Sequence, residues 1–161
     1  MKKMKKITDI LGLKEKESAA VAEKLNELLA NYQVYYQNLR GFHWNIKGER
    51  FFGLHAKFEE LYDDAVEKID EIAERVLTLG FTPLHTFEDY LKVASLKAEK
   101  DKSDADSTVK AVLNNLEALI KLERQILPLA EAGEDEGTIA LITDYISEQE
   151  KLVWMLTSVL K

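Results

Sequence analysis

Apolar residues recur along the chain at alternating steps of three and four, the spacing that lines them up on one face of an α-helix. From about residue 16 to 45 the stripe is Leu25, Leu28, Tyr32, Tyr35, Leu39 and Phe42. A second stripe, Phe58, Leu61, Ala65, Ile69, Ile72, Val76 and Leu79, runs over about 51–79 and stops at Gly80 with Pro83 just beyond. Glycine followed by proline is how a helix C-terminus ends. The short Ile46 to Arg50 segment between them makes the two an antiparallel hairpin. Phe87 to Ala94 predicts one or two helical turns, and Ser95 to Ser107 is a polar run suited to a solvated crossover. Val109, Val112, Leu116, Leu119, Glu123 and Ile126 mark a third helix over about 107–132, with Pro128 disturbing its last turn. Ile142, Tyr145, Gln149, Leu152, Leu156 and Val159 mark a fourth over about 138–160.

Four long amphipathic helices with one long middle connection predict an all-α four-helix bundle of ferritin-like connectivity, with a short helix in its crossover. The 161 residues, 46% of them hydrophobic, fit one domain able to bury a core without cross-links. That domain is expected over 15–161, after a basic, flexible leading segment at 1–14. There is no cysteine, which excludes disulfides, thiol nucleophiles, iron–sulfur clusters and cysteine-ligated zinc. Any metal must therefore be held by nitrogen and oxygen. No apolar run approaches the roughly 18 residues of a membrane span, and Asp9 interrupts the only apolar stretch near the start. A cytoplasmic protein with no membrane contact is the expectation.

The net charge is −7, yet the first six residues, Met1 to Lys6, contain four lysines. Setting those aside leaves the remainder at −11, four more negative than the whole chain's −7. An acidic body repels nucleic acid, so any DNA contact would fall to Lys2, Lys3, Lys5 and Lys6.

Two of the three histidines, His43 and His55, flank the turn between the first two helices. The residues three before His43, His55 and His85 are Arg40, Phe52 and Thr82. The paired Glu-x-x-His motif of a metal site inside a bundle is thus absent. Counted from His55 at roughly 100° per residue, Glu59, Asp70 and Glu74 fall at roughly 40°, 60° and 100°, while the core stripe centres near 280°. The ligand-type residues face away from the core, on a sector that also carries Val66, Ala73 and Leu77. On the first helix Leu29, Tyr36 and His43 repeat every seven residues. Second stripes of this kind predict contact with another subunit. Asp70 lies fifteen residues beyond His55, about 22 Å at about 1.5 Å per residue, so one metal cannot touch both within a chain. Antiparallel packing of two such helices about a two-fold axis brings the histidine end of one to the carboxylate end of the other, giving two equal sites per dimer. Histidine with carboxylate suits ferrous iron, manganese or zinc rather than calcium.

Phe42-His43-Trp44-Asn45, Leu54-His55-x-x-Phe58-Glu59-Glu60-Leu61-Tyr62-Asp63 and Lys68-Ile69-Asp70-Glu71-Ile72-Ala73-Glu74-Arg75 closely resemble the Dps family, the mini-ferritins called DNA-binding proteins from starved cells. The resemblance covers nearly the whole chain, including Thr138 and Trp154. It implies a ferroxidase centre made by His43 and His55 of one subunit and Asp70 and Glu74 of its two-fold mate. It adds Glu59 as a further ligand, where the family often has aspartate, and Trp44 as a neighbour of the iron in electron transfer. It also implies a hollow shell of twelve subunits with acidic pores, for which Asp135 and Glu136, then Asp144 and Glu150, are the candidates. His85 is assigned no chemistry.

The function this resemblance implies is a mini-ferritin that oxidises ferrous iron, preferentially with hydrogen peroxide, and stores ferric mineral as a defence against oxidative stress; the spacing by itself points only to an iron-type site. The alternatives are a nucleoid protein shielding DNA through its lysine-rich start, and a helical oligomer with structural zinc.

Overall fold

The computed structural model describes residues 5–161. Its helices are α1 (Ile7–Leu11), α2 (Glu15–Asn45), α3 (Phe51–Thr78), α4 (Phe87–Val93), α5 (Ala105–Ala132) and α6 (Glu136–Val159). α2 and α3 form one hairpin, α5 and α6 another, and α2 also packs on α5 and carries α4. The predicted stripes meet in the middle: Leu25, Leu28, Tyr32 and Leu39 of α2, Phe58, Ile72 and Val76 of α3, Leu116, Leu119 and Ile126 of α5, and Ile142 of α6 are almost wholly buried. Full burial of such side chains is worth about 1.5–3 kcal/mol each, so core packing rather than intrinsic propensity holds these helices. No described helix is long and apolar enough to cross a membrane.

The predicted stop of α3 is a hydrogen-bonded cap. Gly80 has φ +88°, its N–H donates to the Leu77 carbonyl at 2.9 Å, and the Phe81 N–H donates to that of Val76 at 3.1 Å. That pair of bonds is the Schellman arrangement, which needs the left-handed residue glycine supplies. α5 and α6 begin two residues earlier than the apolar spacing predicts, because capping carboxylates decide their starts. Asp104 accepts from the Ser107 N–H at 2.8 Å and Asp135 from that of Thr138 at 3.0 Å. Each satisfies an otherwise orphaned N–H of the first turn. Pro128 lies inside α5, one turn before its end.

The described part of the leading segment expected over 1–14 contains α1, whose Thr8 is buried, and the residue before it, Lys6, pairs with Glu15 at 2.6 Å. Lys2 and Lys3 lie outside the described residues. Leu29, read as part of an outer stripe, is buried in the subunit's own core, because α2 is covered on one side by the hairpin and α5 and on another by the crossover.

The crossover is tied down by three asparagines of α2. Asn26 donates to the Thr82 carbonyl at 3.2 Å and accepts from the Leu84 N–H at 2.8 Å. Asn31 Oδ1 accepts from Ser95 N–H, Ser95 Oγ and Leu96 N–H at 3.1, 3.0 and 2.9 Å. Asn38 accepts from Glu99 N–H at 2.8 Å and donates to the Lys97 carbonyl and to Asn115 Oδ1, each at 3.0 Å. These side chains satisfy backbone groups that no helix of the crossover serves. Asn31→Ala is expected to cost about 1–3 kcal/mol, the penalty for stranding buried donors. Asn26, only half-buried, should cost less. Denaturant unfolding at one protein concentration and unchanged assembly state checks the order.

Candidate metal centre

His43 sits in the last turn of α2 and His55 in the second turn of α3. The intervening turn is closed by a bond from Phe51 N–H to the Gly48 carbonyl at 3.0 Å and plugged by buried Ile46. The Lys47 N–H, which a continuing helix would direct at the His43 carbonyl, instead donates to the Ser103 carbonyl of the crossover at 2.8 Å. That leaves the His43 carbonyl free, one of the orphans at a helix C-terminus.

The two histidines use this freedom reciprocally. His43 Nδ1 lies 2.7 Å from the His55 carbonyl and His55 Nδ1 lies 2.8 Å from the His43 carbonyl. A carbonyl oxygen only accepts, so each Nδ1 carries a proton, and in the neutral imidazole each Nε2 then keeps its lone pair for a metal. The rings stack with centroids 3.8 Å apart and 17° between planes. Phe51 stacks on the outer face of His55 at 5.0 Å, and Tyr62 meets His43 edge-on at 5.3 Å. Tyr62 in turn packs edge-on against Tyr36 at 6.1 Å. Desolvation, then the nearby Glu59 and Asp63 carboxylates, raise the Tyr62 hydroxyl above its ordinary pKa, which keeps it neutral beside the site.

Glu59 stands one turn beyond His55 on α3. A ligand atom from each of His43, His55 and Glu59 lies within 4.8 Å of the others, and from His43 to Glu59 the three run from buried to exposed. Two imidazole nitrogens and a carboxylate oxygen on one side suit a first-row divalent ion such as ferrous iron and leave positions open toward solvent.

Asp70 and Glu74 are exposed farther along α3 and are not brought to this cluster within the subunit. Val66 and Leu77, on the same outer sector, are exposed apolar residues. Trp44 points outward, 57% exposed. Its aromatic contact is with the Arg40 guanidinium, which lies 4.8 Å from its ring and 5.3 Å from that of Tyr36, rather than with the imidazole pair. His85 is exposed in its loop, with Nδ1 3.0 Å from the Pro83 carbonyl.

Among the pore candidates, Asp135 is corrected. It is 3% exposed, ion-paired to Arg75 at 2.5 Å, and bonded to the Thr138 hydroxyl at 2.6 Å. It serves as the buried cap of α6 and does not line a channel. Gly137 makes room for this arrangement, since a Cβ there would meet the Arg75 guanidinium at 2.8 Å. Glu136 and Asp144 are exposed, and Glu150 pairs with Arg124 at 2.5 Å.

Residues 22–161 match the family model of the ferritin-like domain. The whole fold superposes on the crystal structure of a Dps protein from Vibrio cholerae O1 with a TM-score of 0.94 at 51% identity, covering 99% of this chain and 100% of that one. The chain belongs to the Dps family. A Porphyromonas gingivalis relative, called DNA protection during starvation protein, is 50% identical over 155 residues, 96% of this chain and 98% of its own. A Dps protein from Bacillus brevis superposes with a TM-score of 0.88 at 38% identity, over 91% of this chain and 98% of that one.

The reciprocal bonds, the aromatic clamp and the Arg40 column were not read from the sequence. The His43 and His55 spacing points to a pair, but the side-chain-to-carbonyl register appears only once the turn is folded. Nitrogen-15 NMR of histidine-labelled, metal-free protein at mildly alkaline pH is expected to find both His43 and His55 protonated at Nδ1 and bare at Nε2. A protonated Nε2 on either one excludes the clasp.

Proposed function

We propose that this Dps-family protein is a mini-ferritin whose ferroxidase centres are shared between two-fold-related subunits. One subunit supplies His43, His55 and Glu59, and its mate supplies Asp70 and Glu74. The observation that carries this reading is the clasped histidine pair with both Nε2 atoms free beside Glu59. The complementary carboxylates lie at the far end of an exposed, partly apolar helix face. The Vibrio cholerae neighbour is described as a member of a broad superfamily of ferritin-like diiron-carboxylate proteins, which supports iron as the substrate.

In this reading two ferrous ions each give one electron to a hydrogen peroxide molecule. Its O–O bond breaks, and with two protons taken up it leaves as two waters, so that no hydroxyl radical is released. The chain's part is to hold the donors. The Nδ1 bonds fix the tautomer and aim of each imidazole, a constraint worth roughly 10- to 100-fold in metal affinity or activity where comparable outer contacts have been removed. In this reading Trp44, beside His43 in sequence and 57% exposed, meets the mate subunit and exchanges electrons with the centre. The closed assembly is a cytoplasmic, hollow dodecamer in which ferric product mineralises, and Glu136, Asp144 and Glu150 are its remaining acidic pore candidates.

Mixing complementary defects tests the shared centre. His43→Ala/His55→Ala and Asp70→Ala/Glu74→Ala variants should each lose fast ferrous oxidation alone. Co-refolded at equal ratio they should recover about a quarter of the wild-type rate, since about half the dimers are mixed and each of those has one whole site of two. Absence of recovery in mixed shells of correct size refutes the sharing. A monomer or simple dimer at micromolar concentration refutes the shell.

The second reading, DNA shielding, is favoured by the lysine-rich start alone. Lys5 is exposed and Lys6 is occupied with Glu15. Repetition of the tip around a shell would give multivalent contact with phosphates. Replacing Lys2, Lys3, Lys5 and Lys6 by alanine is expected to abolish DNA retention at low salt and to leave iron oxidation unchanged. Retention that survives the change removes this reading's support.

A further inference from the structure

The centre of the bundle contains an acid that the metal site does not use. Glu123 of α5 is 0% exposed. Its Oε1 accepts from the Tyr32 hydroxyl of α2 at 3.1 Å and from Gln149 Nε2 of α6 at 2.6 Å. The Gln149 Nε2 also donates to the Tyr32 oxygen at 2.9 Å. Among the described residues two buried side-chain atoms have no partner, Glu123 Oε2 and Gln149 Oε1. Both are acceptors, and they belong to the two groups already joined through their other atoms. An ionised Glu123 leaves both bare in an apolar interior, which is strongly unfavourable. A single proton on Oε2 supplies the missing donor. A carboxylic acid facing a primary amide makes two antiparallel hydrogen bonds, amide N–H to Oε1 and acid O–H to the amide oxygen.

The surroundings favour that neutral form. From α2, Tyr32 and Tyr35 face the acid, and burial raises both hydroxyls, keeping them uncharged. From α3 the facing cation is Lys68, which is committed to Asp64 and Glu148. Burial alone would lower the Lys68 ammonium, but those two carboxylates outweigh it and hold it charged. From α6, Tyr145 is raised by burial and donates to Glu71 of α3 at 2.6 Å. On α5 itself Arg124 is turned outward to Glu150. Among the described residues no lysine or arginine is within salt-bridge distance of Glu123. Burial pushes the Glu123 carboxyl up to about 7, against the opposing bonds from Gln149 and Tyr32.

We propose that Glu123 is a protonated acid in the folded subunit at mildly acidic to near-neutral pH, closing a two-bond ring with Gln149, so that the meeting point of α2, α5 and α6 holds an exchangeable proton. The inference stands apart from the iron reading, because neither residue belongs to the metal centre. The sign of its pH dependence follows. The folded state binds a proton that the unfolded chain, with an ordinary carboxyl near 4.5, has released. The stabilisation is therefore full below about 4.5 and is lost as pH rises through about 7.

Infrared spectra of the full-length assembled protein test this. At about pH 6, where exposed carboxylates are ionised, a protonated-carboxyl band should be present, and it should vanish by about pH 8.5. Asp135, the other buried carboxyl among the described residues, is ion-paired with Arg75, and any band from it would persist in Glu123→Gln. In Glu123→Gln the Glu123 band should be missing at both pH values, and the fall in melting temperature over that interval should flatten. In Glu117→Gln, an exposed control, both should remain. Absence of the band from the wild type at about pH 6 overturns the proposal without recourse to any variant, and signifies an ionised acid bridged by water. An unchanged pH slope in assembled Glu123→Gln also overturns it.

Discussion

The chain must travel the length of the bundle between α3 and α5, and over most of that journey its backbone has no helical partner for its polar groups. α2 supplies the partners through Asn26, Asn31 and Asn38, whose side chains take the place of a missing hydrogen-bond ladder. Fixing the crossover on α2 also fixes where it ends. There the Ser103 carbonyl takes the Lys47 N–H, so the crossover reaches into the turn that separates α2 from α3. The His43 carbonyl is released by the same bond, and the reciprocal histidine contact is built on it. A polar constraint along one side of the molecule thus prepares the site at its end.

The site is organised by backbone more than by side-chain charge. Each imidazole is oriented by a carbonyl belonging to the other's residue, so neither ring can turn without the loss of a bond that its partner's chain segment provides. Phe51 and Tyr62 close the flanks of the stack, which restricts the remaining rotation. Ligands held in this way need little reordering when a metal arrives. Among the described residues the carboxylate grouped with the pair is Glu59, which lies at the exposed rim.

Much of this was legible in the sequence because it follows from repeat distances. The alternating three-and-four spacing located the long helices, Gly80 located the end of α3, and helical rise separated His55 from Asp70 before any fold was known. What resisted reading depends on side chains whose role is set by partners distant in sequence. Asn31 and Asn38 look like surface residues in an amphipathic helix until the crossover lies over them. Asp135 looks like an exposed acid in an acidic turn, yet the approach of Arg75 makes it a buried cap. Glu123 sits in register with the apolar stripe of α5, so its burial was implied by position, whereas its state depends on Gln149 and Tyr32 from two other helices. Capping aspartates, outside the apolar periodicity, moved two helix starts for the same reason.

The fifteen residues between His55 and Asp70 have a thermodynamic consequence. In the proposed centre an isolated subunit presents only His43, His55 and Glu59, and the complete donor set exists only in the pair. Iron and the neighbouring subunit then act as two ligands of one cycle, and each strengthens the other's binding by the same factor. Dilution loosens the metal, and metal opposes dissociation.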